Sequence, residues 1–321
     1  MDIILIPGFW LDASSWDEVV PPLRQAGHRV RALTLPGMES EEADRSAITL
    51  RDHINAVVEV IDSVAPASAK VVLVGHSGGG AIAHAAADAR PGRVARVIYV
   101  DSLPLGEGGL INDELPVEDG EVPLPDWSLF EKEDLVDLDD DLRAAFRAQA
   151  IPTPVHVTSD RQRLSDERRY DVPVTVIACE FSCAQLREWM AQDHPAVREL
   201  GRIRDVGYID LPTGHWPQFT KPGELSQAIL ASTGPAFELH SCNSKENGGA
   251  RGRTWCGLGV ITARSGAELG RPGGVSALGM IRGRAAGGAG VRFRAGALPL
   301  AVSRNVGREG CASIAKAFRE P

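Results

Sequence analysis

Basic residues are in short supply in this 321-residue sequence: 34 Lys+Arg stand against 43 Asp+Glu, a net charge of −9. That balance argues against a nucleic-acid partner, whose phosphates need a basic face. No apolar run is long enough to cross a bilayer. The opening stretch MDIILIPG has an acid at position two and no basic segment before its apolar residues. It reads as a strand rather than a signal peptide, and predicts a cytoplasmic protein. Cysteines are few and odd in number: Cys179, Cys183, Cys242, Cys256 and Cys311. They lack zinc spacing, which predicts free thiols and no metal centre. Cys179, at the end of an apolar run, reads as a small buried hydrophobe.

What is present is a strand–helix alternation. Apolar, β-branched runs occur at Ile3–Ile6, Arg29–Leu35, Val71–Val74, Val94–Val100, Val174–Cys179 and Val206–Leu211. Helical spacing fills Ala13–Gln25, Thr49–Val64, Ala81–Arg90, Ala184–Met190 and Glu224–Ala231. This order predicts an α/β fold, a mainly parallel sheet with helices on both faces. Residues 102–170 break the rhythm. They show no clear strand, carry a helical segment around Asp139–Ala150, and read as an insertion that covers a site. Their acidic run reads as a solvated helix start.

From about Phe237 the composition changes. Residues 237–321 hold 17 of the 34 glycines. From Ser241 to Pro321 there are 13 Lys+Arg and 4 Asp+Glu, against 21 and 39 in the rest. The division expected is therefore a folded domain over 1–236, with 102–170 as its lid, and a Gly/Arg-rich tail over 237–321 that is mostly disordered.

The chemistry concentrates in VVLVGHSGGG, residues 71–80. Gly78-Gly79-Gly80-Ala81-Ile82-Ala83 fits the dinucleotide form G-x-G-x-x-A. Its register is wrong, because Gly75 leaves the strand and position 77 is serine. No G-K-S or G-K-T is present, so a nucleotide-triphosphate loop is excluded as well. Gly75-His76-Ser77-Gly78-Gly79 instead fits G-x-S-x-G between a strand and a helix, where a serine is held on a sharp turn with small residues on both sides. Such a serine needs an imidazole. His215, in Leu211-Pro212-Thr213-Gly214-His215-Trp216-Pro217 after the last predicted strand, is the candidate. His76 reads as a packing residue, and His28, His53, His84, His156, His194 and His240 fall on surface patterns or loops.

With these motifs in place, residues 1 to about 234 resemble an α/β-hydrolase, nearest to its small esterases and hydroxynitrile lyases. ILIPGFWLDASSW matches the family's strand, glycine turn and tryptophan-bearing helix, with Pro7 where the family usually has histidine. The resemblance implies an oxyanion hole from the backbone N–H groups of Phe9 and Gly78. It implies a triad acid after Val174–Cys179, but the expected position is Ser182, which is neutral. Glu180 lies two residues earlier, and Asp101 closes VIYVD where some lipases of the superfamily carry the acid. Both keep the order serine, acid, histidine, and Asp205 and Asp210 are lesser candidates. Trp10 and Trp216 flank the site and are expected to line a substrate pocket, or else to pack its loops. Trp16 reads as core.

The activity implied is serine hydrolysis of a small or medium apolar ester through an acyl-enzyme, needing no metal or organic cofactor and only a small-molecule partner. A cofactor-free lyase, a carbon–carbon bond hydrolase and a non-catalytic binding protein stay open at this point, as does the oligomeric state.

Overall fold

A computed structural model describes residues 1–233. The tail expected over 237–321, with Cys242, Cys256 and Cys311, lies outside the described residues. Six strands form one parallel sheet: β1 (Asp2–Ile6), β2 (Arg29–Ala32), β3 (Val71–His76), β4 (Val94–Val100), β7 (Val174–Ala178) and β8 (Val206–Asp210), in the order β2-β1-β3-β4-β7-β8. The reversal between β1 and β3 places the C-terminal ends of β3 and β4 side by side, with His76 paired to Val100. Ligands of open α/β sheets bind at such carboxyl ends.

The strands alternate between two cores. Ile4, Ile6, Val71 and Leu73 face one cluster, and Ile3, Leu5, Val72 and Val74 face the other. Both faces are covered, which is why the central strands β1 and β3 are buried along their whole length. The helices are α1 (Val20–Gln25), α2 (Leu50–Ser63), α3 (Gly78–Ala89), α4 (Asp140–Gln149), α5 (Val155–Ser159), α6 (Cys183–Ala191), α7 (Pro217–Thr220) and α8 (Pro222–Thr233). Thr49 starts α2 with a reciprocal capping box to Asp52, satisfying two orphan N–H groups. Among the described residues no helix is long and apolar enough to cross a membrane.

Three expectations need correction. Ala13–Gln25 is not one helix. It is a 3₁₀ turn, Ala13–Trp16, followed by α1, because Pro21 and Pro22 lack N–H groups and fit only the first turn of a helix. Trp16 is nonetheless fully buried. Arg29–Leu35 pairs as a strand only to Ala32, and the chain then turns, with Met38 N–H donating to the Leu35 carbonyl. The lid does contain strands: β5 (Glu121–Val122) pairs antiparallel with β6 (Thr153–Pro154). Two residues each are too short to leave a periodic signal. Asp139 caps α4 by accepting from Leu142 N–H, and Asp140 and Asp141 occupy its first turn, so the end of the acidic run is the helix start expected, whereas Asp134 at its beginning is buried rather than solvated.

Candidate active site

Three turns carry the candidate residues, and each has one residue with positive φ: Trp10 at 64°, Ser77 at 52° and Asp101 at 44°. For non-glycine residues this conformation is strained, and such strain concentrates at functional sites. At the β3–α3 turn a Cβ on Gly75 would stand 2.4 Å from the Gly79 carbonyl oxygen, so only glycine lets the turn close this tightly. Ser77 is thus held at the head of α3, with its N–H donating to the Val100 carbonyl and its own carbonyl accepting from Ser102 Oγ at 2.7 Å.

His215 arrives from the loop after β8. Its Nε2 lies 2.9 Å from Ser77 Oγ, and its Nδ1 lies 2.7 Å from Asp101 Oδ2. The other oxygen of Asp101 accepts from the N–H groups of Cys179 and Glu180, at 2.9 and 3.1 Å. The carboxylate is therefore fixed from behind by the end of β7. Glu180 Oε2 is 3.6 Å from Nδ1. Ser77, His215 and Asp101 are all buried, Asp101 completely. Ser182 spends its hydroxyl capping α6, in a reciprocal box with Gln185. Asp210 accepts from Cys183 N–H, and the exposed Asp205 precedes β8, at the end of the sheet away from His215.

The electrostatics follow from burial and contact. Burial alone would lower the His215 pKa, but the hydrogen bond to Asp101 and the pair of acidic groups, Asp101 and Glu180, beside Nδ1 outweigh it and hold it well above the usual value. Burial, then the neighbouring Asp101 charge, push the Glu180 carboxyl well above its usual range. His76 is fully buried and pushed down to about 3, by burial first and then by His215. It is neutral, and its Nε2–H donates 2.7 Å to the His215 carbonyl while Nδ1 accepts from Gln218. Reading His76 as packing understated it: a neutral imidazole buried beside the elbow fixes the backbone of the other histidine. His53 and His84 are also buried, not on the surface as expected. His53 bonds the Pro36 carbonyl, and His84 joins Tyr99 to Glu199.

The Phe9 ring lies across Gly78, where a Cβ would come within 2.7 Å of Phe9 Cε1. Among the described residues neither the Phe9 nor the Gly78 N–H has a protein acceptor. Ligand atoms of Asp101, Glu180 and His215 lie within 4.8 Å of one another, close enough to hold a metal ion. An ion there would have to displace the bond between Nδ1 and Asp101.

Beside Ser77 is a cavity of about 370 Å³, walled by Ala81, Leu103, Leu105 and Ile111 and reaching Glu199 and Arg202. Trp10 and Trp216 do not line it. Both tie down the lid instead: Trp10 Nε1 donates to the Val122 carbonyl, and Trp216 packs edge-on against Trp127, Phe130 and Phe146. The cavity is not wholly apolar. Burial would raise the Glu199 carboxyl, but hydrogen bonds from His84 and Arg169 bring it to about 2.

A sequence model of the α/β hydrolase family matches residues 3–228. Methylesterase 7 of Arabidopsis thaliana is 27% identical over 253 residues, covering 71% of this chain and 94% of the relative. Pyrethroid hydrolase of Sphingobium wenxiniae is 25% identical over 261 residues, covering 71% and 86%. Among solved structures, an extracellular α/β-hydrolase from a Paenibacillus species superposes with a TM-score of 0.58 at 21% identity, over 72% of this chain and 98% of that one.

Proposed function

This chain belongs to the α/β hydrolase family, in its esterase branch, and from that premise we propose that it hydrolyses carboxylic esters through an acyl-enzyme on Ser77. The observation that carries the reading is the continuous path from Ser77 Oγ through His215 to Asp101, 2.9 and 2.7 Å long. His215 Nε2 takes the hydroxyl proton as Ser77 Oγ attacks the ester carbonyl. The carbonyl oxygen gains the negative charge, and the N–H groups of Phe9 and Gly78 meet it. Each such donor is worth about 3 kcal/mol in the transition state. The tetrahedral intermediate collapses, the C–O bond to the alcohol breaks, and His215 returns the proton to the leaving oxygen. Water then repeats the sequence on the acyl-enzyme.

Asp101 keeps the proton on Nδ1, which leaves Nε2 free to act as base, and it stabilises the imidazolium. A binding protein without turnover is disfavoured by this geometry, since that reading needs the acid to be missing. The name of the methylesterase relative supports a methyl ester as one substrate, and that of the pyrethroid hydrolase supports a larger one. The test is turnover of p-nitrophenyl acetate by the protein and by Ser77→Ala. We expect a burst of nitrophenol, then steady turnover, and a fall of at least 10³-fold in the variant. Unchanged turnover in Ser77→Ala would overturn the reading.

A further inference from the structure

Two carboxyl groups face the Nδ1 edge of His215. Asp101 comes from the end of β4 at 2.7 Å, and Glu180 from the end of the adjacent β7 at 3.6 Å. They are locked together, because the Glu180 N–H donates to Asp101 Oδ1. The Glu180 side chain is only 1% exposed. Its environment differs sharply from that of Asp101. Asp101 collects three N–H donors, from Cys179, Glu180 and His215. Neither oxygen of Glu180 makes a well-formed hydrogen bond, and the groups near enough to share a proton with it are His215 and Asp134. Asp134 comes from the lid and is itself buried, with its carbonyl accepting the His215 N–H at 2.8 Å.

Two anions this close in a dry site cannot both ionise at low cost, so one keeps its proton. The donors favour charge on Asp101 and a proton on Glu180. Burial and the Asp101 charge act on Glu180 in the same direction. The Cys179 thiol beside them is pushed up by burial first and stays neutral, and Lys221 is a cation acting on that thiol.

We propose that Glu180 is a reserve acid for His215: a positioning residue that is neutral while Asp101 carries the charge, and that takes the charge and the Nδ1–H bond when Asp101 cannot. This rests on the reading of Ser77 and His215 as nucleophile and base. Removing the Asp101 charge removes one of the forces that keeps the proton on Glu180. Glu180 then ionises beside the imidazole, and a rotation of its flexible side chain closes the gap from 3.6 Å.

The test compares the full-length protein with Glu180→Gln, Asp101→Asn and the double variant, using p-nitrophenyl acetate from pH 5 to 9. The glutamine amide resembles a protonated carboxyl and leaves the Asp101 bond in place, so Glu180→Gln is expected to lose several-fold, far less than Asp101→Asn. Loss of a lone triad acid costs about 10⁴-fold. Here Asp101→Asn is expected to lose about 10- to 100-fold, and the double variant about 10⁴-fold. The pH profile separates this role from a structural one. The acid limb of kcat/KM stays above 6.5 in Asp101→Asn, where Glu180 supplies the anion. It falls below 6.5 in the double variant, where only burial acts on His215.

If Asp101→Asn does not fold, Asp101→Ala with and without Glu180→Gln gives the same comparison. Equal activity and equal acid limbs in the Asp101 variant and the double variant would overturn the proposal. So would a loss in Glu180→Gln as large as that in Asp101→Asn. Failure of the esterase reading looks different: Ser77→Ala would then match wild type.

Discussion

The imidazole of His76 donates its Nε2–H to the backbone carbonyl of His215, 2.7 Å away, with the two rings 5.0 Å apart. One histidine of the elbow motif thus fixes the loop that delivers the other. Its neutrality suits the proposed mechanism, because a charged ring there would repel an imidazolium formed on His215.

His76→Leu should therefore damage the protein twice. The His215 carbonyl and Gln218 Nε2 lose their partner in a dry site, which costs about 1–3 kcal/mol of stability. The released loop should misplace Nε2, and a displacement of about 1 Å can cost 10²-fold. We expect kcat to fall 10- to 100-fold with KM changed less than threefold. Urea unfolding and steady-state kinetics check both.

The pH dependence of turnover follows from His215. The base must be neutral, and Asp101 holds its pKa above the ordinary 6.5 despite burial. The acid limb of kcat/KM should therefore have its midpoint above pH 6.5. A midpoint at or below 6.5 would mean that burial outweighs the acid.

Much of this was legible in the sequence. G-x-S-x-G after an apolar run marked Ser77, and the loop after the last strand marked His215. The acid was not decided there, because both Asp101 and Glu180 end strands that become neighbours only when β4 pairs with β7. Ser182 looked like a failed acid, yet its neutrality suits its work as the cap of α6. Trp10 and Trp216 were placed near the site by their neighbours in sequence, and the Trp216 ring does lie 5.1 Å from that of His215, but sequence adjacency does not show that both side chains anchor the lid rather than line the cavity. The buried states of His53 and His84 were missed because an isolated histidine carries no period. His53 does fall on the apolar face of α2 with Leu50, Ile54 and Val57, a signal that could have placed it.

Stability in acid should fall as the buried His53 and His76 are forced to charge, and His53 is the one that can be tested away from the site. Burial holds its pKa down to about 4, although the bond to the Pro36 carbonyl opposes this. Because the folded pKa is depressed, the unfolded chain binds a proton that the folded chain does not. Stability is full above about pH 6.5 and falls as pH drops toward 4, by about 3 kcal/mol from this residue. His76 adds a loss of the same sign. His53→Gln should flatten the decline in urea midpoint between pH 6.5 and 4. An unchanged slope would show that His53 does not titrate on unfolding as argued.

Trp216 holds the lid. It is 1% exposed and meets Trp127, Phe130 and Phe146 at ring separations of 5.3–5.8 Å. Trp216→Ala should cost about 3–5 kcal/mol. It should also speed proteolysis within residues 102–170 more than elsewhere, since the lid loses its aromatic anchor while the sheet does not. Uniform proteolysis would place the damage in the core instead.

Selectivity for the acyl group should answer to Ala81. It lies one turn along α3 from Ser77 and lines the cavity that Ser77 and Glu199 also line. Each methylene accommodated in an apolar pocket is worth about 1–3 kcal/mol of discrimination. Ala81→Leu fills part of the cavity next to the reacting carbon without touching His215 or Asp101. We expect kcat/KM for p-nitrophenyl acetate within threefold of wild type and that for p-nitrophenyl octanoate at least tenfold lower. A parallel fall for both esters would mean that the side chain disturbs the elbow. No change for either would mean that the acyl chain leaves Ser77 in another direction, away from Glu199.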